Sequence, residues 1–308
     1  MKFALLLLFL GIGVSARGAA AVTRARYLMG TICEVEAPDA REIDAAFDEA
    51  ARIERLISTW RSDSELSLLN ASGEAHVSPE LYGILHISVD VAHESSGAFN
   101  PLVRPLIDLW QTRGSGRVPS PQERELTLPR LALSNITFDR GVVRLTNRAQ
   151  VEEGGFGKGY ALDKMLEKIT ALHAVLNFGG QILVRGSERV TIAHPLHRDR
   201  PLLALTLTNG SLSTSSGSEK SFNLNGVRFS HLLDPTTGMA LPPRGSVSVI
   251  GHSAFFADMF STALYVMGPE RGLRWARMHD VVAIFISETG DITTSSPVAG
   301  LTMVKELP

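Results

Sequence analysis

The sequence predicts an α+β or mixed α/β fold that forms one compact domain. The first observation is that helix-spaced apolar runs and strand-like runs alternate irregularly, without a repeating βα unit or an internal repeat. The second is composition: 308 residues, 44% hydrophobic and 20% charged, are ordinary for a globular chain and suffice for a large core. Length alone would also allow two domains, but no low-complexity linker divides the chain.

The first element in the chain is a secretory signal, which we expect over residues 1–20. One Lys precedes an apolar stretch from Phe3 to Val14, and small residues that allow cleavage follow it. The stretch is too short to span a bilayer comfortably, so export with cleavage is favoured over a retained anchor or a buried helix. No cysteine directly follows the stretch, so no lipid attachment is expected. The sequence therefore predicts a periplasmic domain over residues 21–308.

Charge and cysteine content narrow the classes of function. The net charge is −2 and basic residues never form a run of five, which argues against a wide basic face for nucleic acid. The single cysteine, Cys33, cannot form an internal disulfide. It lies in the alternating run "TICEVEA", which predicts a packed strand residue rather than a nucleophile.

Two amphipathic helices are predicted in the first half of the chain. Residues 39–60 have apolar side chains at helical spacing. Residues 78–97 begin with Ser78 as an N-cap and Pro79 in the first turn, and Gly97 lies past the end. The polar stretch 113–125, rich in Gly, Pro and Ser, predicts a surface loop.

The second half of the chain alternates strands with two further helices. Helices are predicted over 160–172 and over 253–268, the latter ending at Gly268. Asn209-Gly210 predicts a hairpin turn between two strands of the segment 202–216. The remaining strands are expected over 135–139, 142–146, 174–186, 246–251 and 281–287, with a turn into another strand at 290–296.

The stretch "VEEGGFGKGYALDK", residues 151–164, is a candidate anion site. It is not a Walker A loop, because Gly159 rather than Ser or Thr follows Lys158, and its spacing does not fit the dinucleotide fingerprint. Four glycines in the six residues 154–159 allow close approach of a ligand, and a helix N-terminus favours an anion. The alternative is a tight turn with no ligand, but it requires fewer glycines.

Two further segments offer chemistry. Asp258 and Thr262 in "ADMFSTAL" are four residues apart on a predicted helix, so a carboxylate and a hydroxyl suited to Mg²⁺ or Ca²⁺ share one face. A plain polar helix face is the alternative. His231 precedes the turn Asp234-Pro235 and could exchange protons near neutral pH, although a lone histidine is more often structural. Trp60 and Phe99 could stack on a flat ring, or be core residues.

Taken together and in order, these motifs resemble those of the FAD:protein FMN transferases, the ApbE-like family. The motifs are "MGT", "STWRSDSELSLLN", "GAFNPLVRPL", "GGFGKGYALD", "NFGGQI", "STSS", "SHLLDPTTG" and "ADMFSTAL". The similarity runs from about Arg26 to near the C-terminus. It implies one α/β domain that binds FAD in a cleft, holds Mg²⁺ at the pyrophosphate, transfers FMN to a Ser or Thr hydroxyl of a target protein and releases AMP.

The resemblance also implies roles for single residues. Gly155 matches the position whose carbonyl binds the metal, and Asp258 and Thr262 match its side-chain ligands. Three single residues depart from the family pattern: Asn100 and Glu152, where Asp is usual, and Gln181 in place of an acidic residue. The stretch "TSSGSEK" also lacks the aromatic residue and the glycine expected in a T-S-G-D-Y-like pattern. These departures leave FAD affinity and target choice open. The FAD-contact positions are matched by Met29, Trp60, Ala98, Phe99, Asn100, Glu152, Lys158 and Leu232.

The implied reaction leaves the base and the acceptor open. His231 and Asp258 are the candidates for taking the proton of the acceptor hydroxyl. The expected acceptors are membrane-associated electron-transfer proteins that face the periplasm. The competing hypothesis is a periplasmic protein that stores FAD or hydrolyses it slowly without an acceptor. A general solute-binding protein has no support beyond the signal sequence.

Overall fold

The computed structural model describes residues 21–217, 221–224 and 226–304. The expected signal peptide, residues 1–20, lies outside these ranges, as does part of the stretch "TSSGSEK". Within them, no helix is both long and apolar enough to cross a membrane. The expectation of a mixed α and β domain is confirmed by the arrangement of its elements.

The described residues contain seven α-helices and fourteen strands, joined by loops, turns and two short 3₁₀ helices. The helices are α1 Ala40–Ile57, α2 Glu65–Ser72, α3 Pro79–Glu94, α4 Arg104–Trp110, α5 Pro121–Thr127, α6 Gly157–Leu166 and α7 Ala254–Met278. The strands are β1 Val22–Leu28, β2 Thr31–Ala37, β3 Glu74–His76, β4 Ile136–Asp139, β5 Val142–Leu145, β6 Ala174–Phe178, β7 Gln181–Ala193, β8 Pro201–Ser216, β9 Ser221–Leu224, β10 Val227–Ser230, β11 Ser246–Gly251, β12 Val282–Ile286, β13 Ile292–Thr294 and β14 Thr302–Met303.

One antiparallel sheet organises the domain. Its order is β1-β2-β6-β7-β8-β11-β12-β13, and β14 pairs with β8. Smaller sheets join β3, β4 and β5, and β9 with β10. All described strand pairs of this sheet are antiparallel, and sequential neighbours such as β1 and β2 or β6 and β7 pair as hairpins.

Helices α1, α6 and α7 cover one face of the large sheet. Alternation in β2 places Cys33, Val35 and Ala37 on that face, in one core with Ile43 and Phe47 of α1. Burial raises the pKa of the Cys33 thiol to about 12, so it remains a protonated, packed residue, as the sequence predicts. Helix α6 lies between α1 and α7, and α7 packs on β8, β11 and β12.

Helix ends follow local sequence signals. The Asp39 side chain accepts a hydrogen bond from the N–H of Arg41 at the start of α1, and Ser78 caps α3 as predicted. The predicted loop 113–125 is wrong at its end, because Ser120 and Glu123 form a capping box that begins α5 at Pro121. Helix α6 ends at Leu166, earlier than the periodicity predicts.

The predicted hairpin at Asn209-Gly210 is wrong, because β8 runs continuously from Pro201 to Ser216. Asn209 does adopt a positive φ of 44°, and its side chain accepts a hydrogen bond from Gly186 N at 2.8 Å. It lies opposite a register shift between Val184 and Ser187 of β7. A bulge needs the same left-handed backbone as a tight turn, so the dipeptide alone does not separate the two.

The predicted end of the last helix at Gly268 is a kink. Gly268 has φ 75° and ψ 171°, and the helix resumes at Pro269 and continues to Met278. Arg244 donates hydrogen bonds to the carbonyls of Tyr265 and Val266, which the kink leaves without helical partners. The functional residues of α7 therefore lie in its first, separately capped segment.

Candidate active site

The glycine-rich loop, residues 154–159, runs into the first turn of α6 and meets the start of α7 at Gly159. The N–H of Gly159 donates to Asp258 Oδ2 at 3.0 Å. A Cβ at this position would lie 2.2 Å from the carbonyl oxygen of Ala254 and 2.8 Å from Asp258 Cβ. Only glycine permits such contact, so the last glycine of the loop sets the spacing between α6 and α7.

The hydrogen bond to Asp258 also frees the carbonyl of Gly155. In a regular helix the N–H of Gly159 would bond to that carbonyl. It bonds to the carboxylate instead, and no other donor among the described residues reaches the Gly155 oxygen. Gly155 lies beside Thr262, since a Cβ on Gly155 would be 3.4 Å from Thr262 Oγ1. The structure thus brings together the three residues predicted as metal ligands.

The chemistry of these three residues fits a hard divalent cation. They offer a carboxylate, a hydroxyl and a backbone carbonyl, which are the oxygen ligands that Mg²⁺ accepts. Thr262 donates its hydroxyl proton to the carbonyl of Asp258 at 3.2 Å, so its lone pairs are free to face a cation. No group of three or more His, Cys, Asp and Glu side chains that could hold a metal occurs in the part of the chain described. Any ion here would keep water or substrate oxygens as its remaining ligands.

Buried serines support Asp258 from the sheet side. Ser213 of β8 donates to Asp258 Oδ1 at 3.5 Å and lies 3.3 Å from the hydroxyl of Ser261. Ser215 lies 2.9 Å from the same Ser261 hydroxyl. Ser213 thus holds one carboxylate oxygen while the N–H of Gly159 in α6 holds the other, so the orientation of the carboxylate is fixed before any ligand binds.

Asp163 fixes the beginning of α7. Its carboxylate accepts from Ser253 Oγ at 2.6 Å, from Ala254 N at 2.8 Å and from Phe255 N at 3.1 Å. The two backbone N–H groups are donors that a helix N-terminus leaves unsatisfied. Since Asp163 belongs to α6, the two helices are joined by a second link besides Gly159.

The loop before α6 and the first turn of that helix present free backbone donors. Within the described ranges, the N–H groups of Gly154, Gly155 and Lys158 have no hydrogen-bond partner. Helix α6 has no side-chain N-cap, and the partly exposed Lys158 makes no ion pair with a described residue. A helix N-terminus with free N–H groups and one cation attracts a phosphate. The loop is therefore built to receive an anion.

The two carboxylates that precede the glycines are buried. Glu153 accepts from Thr59 Oγ1 at 2.6 Å and from Thr59 N at 3.1 Å. Glu152 accepts a hydrogen bond from Arg113, and Arg104 lies 3.5 Å from its other oxygen. Burial and the charge of Glu153 raise the pKa of Glu152 to about 7, although Arg113 opposes that shift. Glu152, a predicted FAD contact, is thus buried, and its carboxylate is already engaged by two arginines.

Trp60 and Met29 lie around this loop. Trp60 is 68% exposed, and the guanidinium carbon of Arg113 lies 4.4 Å from its ring centroid. Met29, in the turn between β1 and β2, has its terminal methyl 3.3 Å from the position of a Cβ on Gly157. Both residues, predicted as flavin contacts, therefore lie beside the glycine-rich segment, and Trp60 is solvent-accessible rather than a core residue.

The segment 98–100 packs beneath the loop. Ala98 and Phe99 are buried, and the Phe99 ring would lie 3.1 Å from a Cβ on Gly155. The side chain of Asn100 donates to the Leu131 carbonyl at 3.0 Å and accepts from Leu102 N at 2.8 Å. Asn100 thus shapes the turn, and its amide is already engaged by the backbone.

His231 and Leu232 follow β10 and lead into the turn at Asp234. Leu232 donates its N–H to Ser230 Oγ at 3.0 Å, and its carbonyl accepts from Leu241 N at 2.9 Å. Asp234 holds the turn by accepting from Thr236 N and Thr236 Oγ1. A methyl carbon of Thr236 lies 3.9 Å from a Cβ position on Gly97, so this turn packs beside the segment 98–100.

Comparison with known proteins identifies the family. A sequence profile described as the ApbE family matches residues 29–286. The chain belongs to the ApbE family. An FAD:protein FMN transferase of Treponema pallidum is 31% identical over 304 residues, 86% of this chain and 84% of its own. One of Rhodobacter capsulatus is 33% identical and covers 92% of this chain, which spans 58% of that relative.

The fold of this family member agrees with a solved structure. The crystal structure of the ApbE protein from Thermotoga maritima superposes with a TM-score of 0.83 and 26% sequence identity. The match covers 89% of this chain and 96% of that one. The expectation of one compact ApbE-like domain is therefore confirmed.

The sequence analysis did not find several residues that build the site. They are Thr59, Arg113 and Glu153 beside Trp60, Asp163 at α7, and the serines beneath Asp258. Asp163 had a local signal, since it lies within the glycine-rich motif one turn after Gly159. Arg113 had none: it lies in a polar loop, and its partners Thr59 and Glu152 are 54 and 39 residues away.

Proposed function

We propose that this chain is an FAD:protein FMN transferase that attaches FMN to a Ser or Thr hydroxyl of a target protein and releases AMP, with Mg²⁺ at the FAD pyrophosphate. The observation that supports it most is the meeting of free backbone donors at Gly154, Gly155 and Lys158 with the oxygen ligands of α7. Related proteins that carry this activity in their names match most of the chain.

The residues of the chain divide the work of binding. The free N–H groups of the loop bind pyrophosphate oxygens, and Lys158 offsets their charge. Trp60 and Met29 contact the flavin ring, with Ala98, Phe99 and Leu232 shaping the cleft. Gly155, Asp258 and Thr262 would hold the ion, which would neutralise charge on the pyrophosphate and on the departing phosphate when bound.

The chemical step exchanges one P–O bond for another. The acceptor hydroxyl loses its proton to a base, and its oxygen bonds to the phosphorus of the FMN half while the bond to AMP breaks. AMP departs with the bonding electron pair. We propose His231 as the base, because Asp258 is assigned to the ion and accepts hydrogen bonds from Gly159 and Ser213.

The setting of the reaction is part of the proposal. The N-terminal apolar stretch supports export, so the acceptors would be proteins exposed to the periplasm, including membrane-associated electron-transfer subunits. Incubation of the purified protein with FAD, Mg²⁺ and a candidate acceptor, followed by intact-mass measurement, tests the activity. An FMN adduct on the acceptor supports transfer. Free FMN with AMP would show hydrolysis instead, and unchanged bound FAD would show storage.

Variants of α7 test the metal ligands in the same assay. Asp258→Asn should abolish Mg²⁺-dependent AMP release, since a carboxylate contributes most to a dication. Thr262→Val should weaken it less and raise the Mg²⁺ concentration needed. Glu270→Gln, an exposed position on the same helix, is the matched control. Wild-type activity of Asp258→Asn at low Mg²⁺ would remove this site from the mechanism.

A further inference from the structure

Arg113 joins two parts of the candidate site, the exposed Trp60 ring and the buried carboxylates that precede the glycines. Its guanidinium carbon lies over the Trp60 ring, 4.4 Å from the ring centroid. The guanidinium also donates hydrogen bonds to Thr59 Oγ1 at 2.6 Å and to Glu152. It also lies 3.9 Å from Glu153 Oε2. The side chain is only 19% exposed, although it comes from the surface loop after α4. A role for Arg113 in flavin binding deepens the proposed function and rests on it.

Buried carboxylates fix the position of this guanidinium. Glu152 and Glu153 are adjacent and buried, so the charge of either carboxylate is stabilised only by a cation beside it. The other nearby cation, Arg104, reaches only Glu152 and also bonds Asp108 at 2.8 Å. Arg113 is therefore the main counter-ion, and the planar fork has little freedom to rotate.

Trp60, in contrast, has little else to hold it. Its ring is 68% exposed, and the structure gives it no aromatic partner among the described residues. Its backbone is fixed through Thr59, whose N–H and hydroxyl both bond to Glu153. The ring plane itself is fixed by the guanidinium that lies against one face.

We propose that Arg113 is a positioning residue that sets the Trp60 ring for the isoalloxazine ring of FAD and so determines affinity for the flavin half of the substrate. The pyrophosphate half is bound by the backbone of the loop and does not depend on the guanidinium plane. Loss of Arg113 should therefore affect ligands that contain a flavin ring and spare those that contain only the adenosine phosphates.

Binding of substrate fragments tests this directly. Dissociation constants for FAD, FMN and ADP are measured for the wild type and for Arg113→Met combined with Glu152→Gln, which avoids leaving a buried carboxylate unpaired. FAD and FMN should bind roughly three- to thirtyfold more weakly, the range expected for a cation–π contact, and ADP less than twofold more weakly. Glu152→Gln alone and Arg61→Gln, which removes the exposed cation next to Trp60, are the controls.

A double-mutant cycle separates positioning from general damage. With Trp60 already replaced by alanine, removal of Arg113 should cause no further loss of FMN affinity. Arg113→Lys should restore only part of the affinity, since an ammonium keeps the charge but not the planar contact. In turnover, the KM for FAD should rise while kcat at saturating FAD stays unchanged. Circular dichroism spectra confirm that each variant is folded.

Several outcomes overturn the inference. Equal weakening of FMN and ADP would mean that Arg113 acts through the loop, and additive losses with Trp60→Ala would mean that the two residues act independently. Unchanged flavin affinity would exclude any role. If the wild type binds FAD but transfers no FMN, the proposed transfer fails while the fragment comparison still decides the role of Arg113.

Discussion

At the scale of single residues, Gly159 has the most demanding position in the site. Its missing side chain lets the backbone of α6 lie against the first turn of α7, and its N–H holds the carboxylate of Asp258. One hydrogen bond thus has two effects, since it orients a predicted metal ligand and frees the carbonyl of another.

Replacement of Gly159 by alanine should damage both stability and activity. The new methyl group would overlap the Ala254 carbonyl, and overpacking of this kind costs about 1–3 kcal/mol or more. Gly83→Ala is the control, because nothing lies within 4 Å of its Cβ position in α3. That variant should gain about 0.5–1 kcal/mol from helix propensity. Urea unfolding checks both, and a Gly159→Ala protein of wild-type stability would refute the packing argument.

His231 is the residue whose role most needs a kinetic answer. If it is the base, His231→Ala should slow FMN transfer roughly a hundredfold or more, with little change in FAD affinity. The pH–rate profile should also lose a limb near neutrality. If it only holds FAD, saturating FAD would restore the rate. Transfer rate measured against FAD concentration distinguishes the two.

At the scale of elements, the site depends on how α6 and α7 are joined. Asp163 satisfies three donors at the start of α7, while Gly159 contacts Asp258 one turn further along. At the other end of the first segment of α7, Arg244 donates hydrogen bonds to the last carbonyls before the kink. Asp258 and Thr262 therefore lie on a segment held at both ends, which limits their movement relative to the loop.

Asp163→Asn should loosen this junction. The neutral side chain keeps an acceptor but loses the charge that favours a helix N-terminus, at a cost of about 1–2 kcal/mol in unfolding free energy. Transfer should also need a higher Mg²⁺ concentration, because Asp258 and Thr262 move with α7. Asp39→Asn, an equivalent N-cap change at α1 remote from the loop, should leave the Mg²⁺ requirement unaltered. Identical Mg²⁺ dependence in both variants would argue against the positioning role.

The elements that sequence periodicity predicts correctly are those governed by local physics. Helices α1 and α3 and strands β2, β11 and β12 have clear spacing and clear ends. Asn209-Gly210 was misassigned because a bulge and a hairpin use the same backbone, and only strand pairing separates them. Asp258 and Thr262 were predicted as metal ligands from helical spacing and Gly155 from the family resemblance, and the structure brings the three residues together. The contact between Trp60 and Arg113 was not predicted, because only the tertiary fold brings these two residues together.

At the scale of the whole molecule, export is the expectation that lies outside the described residues. The protein recovered from cells should begin near residues 17–21 and be found in the periplasmic fraction. N-terminal sequencing of that protein measures it. Recovery with Met1 intact in the cytoplasmic fraction would contradict export.

The contact between Gly159 and Asp258 also bears on when the site comes into being. The two residues are 99 positions apart in the chain, so no early-made fragment contains both. Long-range closure of this kind forms late, together with the global fold. If a chain crosses a membrane unfolded, the glycine-rich loop and α7 would not form the proposed pyrophosphate site until translocation is complete. Under the proposed export, FAD is therefore first bound on the far side of the membrane, where it also stabilises the finished fold by mass action.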